Sequence, residues 1–136
     1  RQPTVKEGAN LLATMVYGNI RRMSMIPGIS HFIVGGSDDT GFYVYDIYPD
    51  GSITLIDDFI ASGSGSVMAF GVLETLYTKT LSVSDGIDLA VKAVNAAMQR
   101  DSASGNGAIV VTITKSGIET VIDQNIEGYV KVKSVF

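Results

Sequence analysis

The stretch QRDSASG at residues 99–105 follows a run of apolar residues at helical spacing. Ser82, with Asp85 three positions later, is a capping pattern that predicts where this helix begins. The spacing predicts a helix that ends in the carboxylate of Asp101, followed by two hydroxyls and a glycine. A carboxylate and hydroxyls held at a rigid helix end can form a proton-relay network. A solvated turn is the plainer interpretation of the same residues, and the pattern by itself leaves both open.

A second polar segment, SGSGS at residues 62–66, precedes another apolar pattern at helical spacing. Free backbone N–H groups at a helix N-terminus can bind an anion or a carboxylate. The Gly-Lys-Ser/Thr ending of a phosphate-binding P-loop is missing, which excludes that motif. On pattern alone a turn with a helix cap is favoured, and a generic anion site is the alternative.

The rest of the chain predicts an α+β fold with antiparallel hairpins, in one domain over residues 1–136. A first helix is predicted after Pro3, with Arg21 and Arg22 at the end where cations suit the helix dipole. Pro27-Gly28 breaks this pattern. The remaining elements are two adjacent helices after residue 62 and strands at residues 31–36, 42–47, 53–56, 108–114 and 118–122, with a further short strand at 58–61.

Composition limits the classes of function. The chain has 136 residues, of which 46% are hydrophobic and 18% charged, with a net charge of −4. This acidic balance argues against a nucleic-acid partner or an anionic membrane, because both need concentrated Lys and Arg. The sequence has no cysteine, which excludes disulfides, cysteine-ligated zinc and thiol catalysis within it. The spacing of the carboxylates indicates no metal site, and no cofactor is predicted.

The other polar and aromatic candidates have plain interpretations. His31 is the single histidine, and without a second one a structural role is favoured over catalysis or metal binding. The pair Asp38-Asp39 is interpreted as a solvated turn. Tyr43, Tyr45 and Tyr48 are interpreted as a packed or interface face of one strand.

At its two polar segments the chain resembles the proteasome β subunit, and the archaeal form most closely. The loop at residues 62–66 with FGVLE at residues 70–74 resembles the glycine-serine loop and following helix of that family, and residues 99–105 resemble its signature. FIVGG at residues 32–36 followed by YVYD at residues 43–46 is similar to its central hairpin. The resemblance implies part of an αββα N-terminal-nucleophile hydrolase sandwich with antiparallel sheets.

The resemblance also implies a chemistry. Family members are threonine endopeptidases that degrade unfolded polypeptides inside a cytoplasmic ring-shaped particle built with proteasome α subunits. The hydroxyl of an N-terminal threonine attacks the peptide carbonyl, and its own amino group accepts the proton. Carried over by motif, Ser64, Asp101 and Ser104 would support that amino group and a water molecule. Position 1 is Arg1, so the chain is expected to be N-terminally truncated, to lack the nucleophile and to be inactive alone.

Tyr48 stands where many family members carry a small or acidic residue that lines a neighbouring subunit's pocket, so a substrate-binding role is expected for it. The strand edges of a truncated sheet predict self-association into oligomers. The alternative function is a non-catalytic assembly or binding module on the same fold.

Overall fold

The computed structural model describes residues 2–21 and 30–125. The chain forms two compact units, Arg1–Ile60 and Ala61–Phe136. The predicted helix break at Pro27-Gly28 lies outside the described residues. A single domain over residues 1–136 stays a prediction.

The first unit is a helix on a three-stranded antiparallel sheet with the order β1-β2-β3. Its elements are α1 (Val5–Ile20), β1 (Phe32–Asp38), β2 (Gly41–Ile47) and β3 (Ile53–Ile56). Val44, in the central strand, pairs with Gly35 on one side and with Ile56 on the other. The helix and these three strands confirm the expected pattern.

The additional strand predicted at residues 58–61 is wrong. The Asp58 carboxylate accepts a hydrogen bond from the Phe59 N–H at 2.7 Å, and residues 57–58 form a bend. A short polar side chain that bonds to a neighbouring backbone group competes with ladder pairing. Apolar content alone therefore overstated the strand tendency of this segment.

The core of the first unit lies between α1 and one face of the sheet. Ala9, Ala13 and Val16 of the helix are buried against Tyr45 and Ile47 of β2. The two alanines have small side chains, which leave room for the large side chains of β2. Those side chains fill the space between the helix and the sheet. Ile47 is fully buried.

The prediction of a shared tyrosine face is wrong for one of its three members. Tyr45 belongs to the core under α1 and Tyr43 packs against that core, and their rings stack with centroids 6.4 Å apart. Tyr48 follows the end of β2 and stacks on His31 instead. The spacing from residue 45 to residue 48 is odd, and strand side chains alternate between faces.

Asp38 does more than occupy a solvated turn. Its carboxylate accepts hydrogen bonds from the N–H of Val5 at 2.9 Å and from the N–H and hydroxyl of Thr40 at 2.8 and 2.6 Å. The first of these satisfies an N–H in the first turn of α1, which has no partner within the helix. The Thr40 hydroxyl, and then the two backbone N–H groups, lower the pKa of Asp38.

The second unit packs two helices and a two-stranded antiparallel sheet. Its elements are α2 (Ser66–Leu76), α3 (Val83–Arg100), a 3-10 turn at Ser102–Ser104, β4 (Gly107–Thr114) and β5 (Gly117–Asn125). The predicted cap of α3 is confirmed, because the Ser82 side chain accepts a hydrogen bond from the Asp85 N–H at 3.1 Å. Val91 of α3 packs on Val110 of β4. Among the described residues, none of the helices has the length and apolar character needed to cross a bilayer.

We expect Ile47→Ala to lower the free energy of unfolding by about 2–5 kcal/mol, because it leaves a cavity in a filled core. Leu11→Ala is the matched control in α1, since Leu11 is 65% exposed, and it should change stability by no more than about 0.5 kcal/mol. Urea unfolding followed by circular dichroism measures both. Equal losses in the two variants would contradict the assigned core.

We expect Asp38→Asn to destabilise the folded chain at neutral pH and to flatten its acid-unfolding profile. The folded-state pKa of Asp38 is lowered, so its carboxylate adds stability above the unfolded-state pKa, and this stability is lost as pH falls through the folded-state value. Unfolding as a function of pH measures the change. Asp39→Asn, in the same turn, is the control, and an equal effect of both substitutions would count against the capping role of Asp38.

Candidate active-site network around Asp101

Asp101 lies where α3 ends and the 3-10 turn begins. Its N–H donates to the carbonyl of Ala97 at 2.8 Å, which completes the last turn of the helix. Its Oδ1 accepts the N–H of Ala103 at 3.2 Å, so the same residue caps the 3-10 turn. Bonds on both sides hold the carboxylate in one orientation.

Two serine hydroxyls converge on the other carboxylate oxygen, Asp101 Oδ2. Ser104 donates from the adjacent turn at 2.6 Å. Ser64 donates from the loop before α2, and it lies 37 residues from Asp101 in the sequence. The structure therefore brings together the three residues that the resemblance implied.

Glycines shape the two segments that carry the serines. Gly63 has φ +101°, a backbone conformation that side chains disfavour, and its carbonyl accepts the N–H of Ser66 at 3.1 Å to close the loop turn. Gly105 has φ 74° and ψ −160°, a region open essentially to glycine alone, and it ends the 3-10 turn. Both polar segments thus contain a glycine in a backbone conformation that residues with a side chain rarely adopt.

The hydrogen bonds hold the pKa of Asp101 below its ordinary value. The Ser104 hydroxyl contributes most, followed by the Ser64 hydroxyl and the Ala103 N–H, while desolvation acts in the opposite direction. Donors stabilise the ionised form of a carboxylate. Asp101 is therefore an anion at neutral pH and a weak proton acceptor, suited to orienting hydroxyls and to stabilising a nearby cation.

This charge also bears on the two interpretations of the loop at residues 62–66. The predicted turn is confirmed, because the Ser66 N–H bonds to the Gly63 carbonyl, but Gly65 at the cap position of α2 makes no side-chain capping bond. The ionised Asp101 carboxylate touches the loop through Ser64 and repels a second anion. The geometry thus disfavours the generic anion site.

A second polar cluster lies in the first unit. Asp46, in β2, is 1% exposed and its Oδ1 contacts Nε2 of His31. The His31 ring stacks on Tyr48 with centroids 5.2 Å apart, and a hydrogen bond with Asp46 raises the pKa of Tyr48. His31 thus serves as a partner for the buried Asp46 carboxylate, which agrees with the structural role favoured from the sequence.

Sequence reasoning missed Asp46. A carboxylate inside the apolar strand sequence at residues 42–47 needs a partner, since a buried charge without one is costly, and His31 was the signal available. Tyr48 is 41% exposed and belongs to the first unit. Its substrate-binding role stays a prediction. Across residues 2–21 and 30–125, no three His, Asp or Glu side chains come together as metal ligands.

The family model for proteasome subunits matches residues 1–113. The chain belongs to the proteasome subunit family. It is 40% identical over 126 residues to the proteasome subunit beta of Ferroglobus placidus, covering 93% of this chain and 58% of the relative. It is also 40% identical over 129 residues to that of Methanosphaerula palustris, covering 95% and 60%, and 44% identical over 116 residues to that of Archaeoglobus profundus, covering 85% and 52%.

These similarities confirm the archaeal-type proteasome β resemblance and the predicted fold class. The helices and antiparallel sheets of the chain form an α+β fold of the proteasome, N-terminal-nucleophile hydrolase type. The chain spans between 52% and 60% of the length of these three relatives.

We expect Ser104→Ala to raise the pKa of Asp101, because it removes the largest of the contributions that lower it. The titration of the Asp101 side-chain carbon by ¹³C NMR measures the shift. Ser102→Ala, in the same 3-10 turn, is the control and should leave the pKa in place. A Ser104→Ala chain that titrates like the unsubstituted one would contradict the network.

Proposed function

We propose that the chain is part of a threonine-type endopeptidase subunit. Its Ser64, Asp101 and Ser104 side chains supply the hydrogen-bond network that supports the catalytic amine. The observation that carries the proposal is the convergence of the Ser64 and Ser104 hydroxyls on the ionised Asp101 carboxylate, in a chain of the proteasome subunit family. Unfolded polypeptides are the proposed substrates. The proposed setting is a ring-shaped particle in the cytoplasm, assembled from copies of the subunit and proteasome α subunits.

The chemistry suits such a network. When a threonine hydroxyl attacks a peptide carbonyl and its own amino group takes the proton, an ammonium forms beside the nucleophile. A fixed carboxylate of low pKa stabilises that ammonium without reorganising during the reaction. Ser64 and Ser104 hold Asp101 in its ionised form, and their hydroxyl oxygens keep lone pairs that can bind a water molecule or the amine.

We further propose that the 136-residue polypeptide has no peptidase activity by itself. Ser64 and Ser104 both donate to a carboxylate with a lowered pKa, so neither hydroxyl has a strong base to activate it. His31, the single histidine, contacts the buried Asp46 carboxylate. Losing the nucleophile of a serine-protease triad costs about 10⁶ in kcat, which gives the scale of the deficit.

The test compares the 136-residue chain with a complete subunit that contains it and carries an N-terminal threonine. We expect the chain alone to leave unfolded casein and fluorogenic peptides intact, and the complete subunit to cleave them. In the complete subunit, Asp101→Asn should lower kcat/KM by about 10²–10³-fold, the range typical of removing one preorganised electrostatic group.

Ser102→Ala in the complete subunit is the control for this experiment and should retain full activity. A complete, assembled subunit that cleaves nothing would favour the non-catalytic assembly or binding module. If the purified 136-residue chain cleaves peptides and Ser64→Ala abolishes that cleavage, Ser64 is a nucleophile. This result would overturn both the supporting role of Ser64 and the proposed inactivity of the chain alone.

A further inference from the structure

Gly65, in the loop before α2, lies directly against the end of α3. A Cβ built on Gly65 would lie 2.6 Å from Oγ of Ser104 and 2.7 Å from Cβ of Ala97. It would also lie 3.4 Å from Oδ2 of Asp101. The first two separations are shorter than real Cβ atoms show, so position 65 has no room for a side chain in this arrangement.

The backbone conformation of Gly65 does not require glycine. Its φ of −90° and ψ of 7° are those of the third residue in an ordinary type I turn, which most residues adopt. Gly65 also occupies the cap position of α2, where Ser, Thr, Asp or Asn would normally accept a hydrogen bond from the helix. The backbone at position 65 would therefore accept most residues, and the glycine is required by the atoms around it instead.

Ala97 is the other small residue at this contact. It lies one helical turn before Asp101 and is 8% exposed, and its carbonyl accepts the Asp101 N–H at 2.8 Å. A steric clash with the Ala97 methyl would therefore also displace Asp101. A clash with the Ser104 hydroxyl would move that hydroxyl away from the Asp101 carboxylate. One added methyl group at residue 65 thus affects two members of the network.

We propose that Gly65 and Ala97 are positioning residues, whose missing and minimal side chains let the loop place the Ser64 hydroxyl on Asp101 while Ser104 keeps its own place. Neither residue bonds to the carboxylate through its side chain. Their effect on catalysis rests on the proposed function, whereas their effect on the network does not.

The test is Gly65→Ala in the full 136-residue chain. We expect the pKa of Asp101 to rise, because the hydroxyl donors that lower it are displaced, and ¹³C NMR titration of its side-chain carbon measures this. Gly71→Ala in α2 and Gly86→Ala in α3 are matched controls, since a Cβ at either position meets nothing within 4 Å. An unshifted Asp101 pKa in the folded Gly65→Ala chain would overturn the proposal.

A double variant, Gly65→Ala with Ala97→Gly, separates the two contacts. It relieves the contact at position 97 and leaves the one with Ser104, so the Asp101 pKa should come to resemble that of Ser104→Ala. If the single variant does not fold, the double variant still provides the test. A folded double variant that titrates like the unsubstituted chain would overturn the steric account.

The single substitution Gly65→Ala, made in the complete subunit, distinguishes this inference from the proposed function. A raised Asp101 pKa with a reduced kcat/KM supports both. A raised Asp101 pKa with unchanged kcat/KM supports the positioning role of Gly65 and contradicts the proposed catalytic role of the network. An unchanged pKa overturns the positioning role whatever the activity.

Discussion

The site in the second unit depends on one carboxylate oxygen that accepts two hydroxyl hydrogen bonds. Asp101 Oδ2 binds Ser104 from the adjoining turn and Ser64 from a loop 37 residues earlier. The end of α3 orients the carboxylate through backbone bonds on both sides of Asp101, and the loop reaches it because Gly65 has no side chain. Helix end, turn and loop are thus arranged around a single anionic acceptor.

The carboxylates of Asp46 and Asp101 have different partners. Asp46 is 1% exposed, and its carboxylate contacts the imidazole of His31 inside the first unit. Asp101 is bonded to neutral hydroxyls and a backbone N–H, which stabilise its negative charge without cancelling it. The Asp101 carboxylate therefore remains able to interact with a cation.

Much of the fold could be predicted because the signals involved are local. Helical periodicity, the Ser82 cap and the glycine-containing turns placed three helices and five strands close to their observed bounds. The failures had a common origin in single side chains. Asp58 bonds to the backbone and no strand forms, and Asp38 also caps a helix 33 residues away in sequence. Tyr48 follows the end of β2 and stacks on His31.

The sequence by itself determined three helices and five strands, the resemblance to proteasome β subunits and, through that resemblance, the three residues of the network. Periodicity, capping and signature segments are properties of neighbouring residues. Only the tertiary structure decided that the Ser64 hydroxyl meets Asp101, that position 65 excludes a side chain and that His31 faces Asp46. These contacts join residues between 15 and 39 positions apart. They depend on how loops and strands pack in three dimensions, which no local pattern specifies.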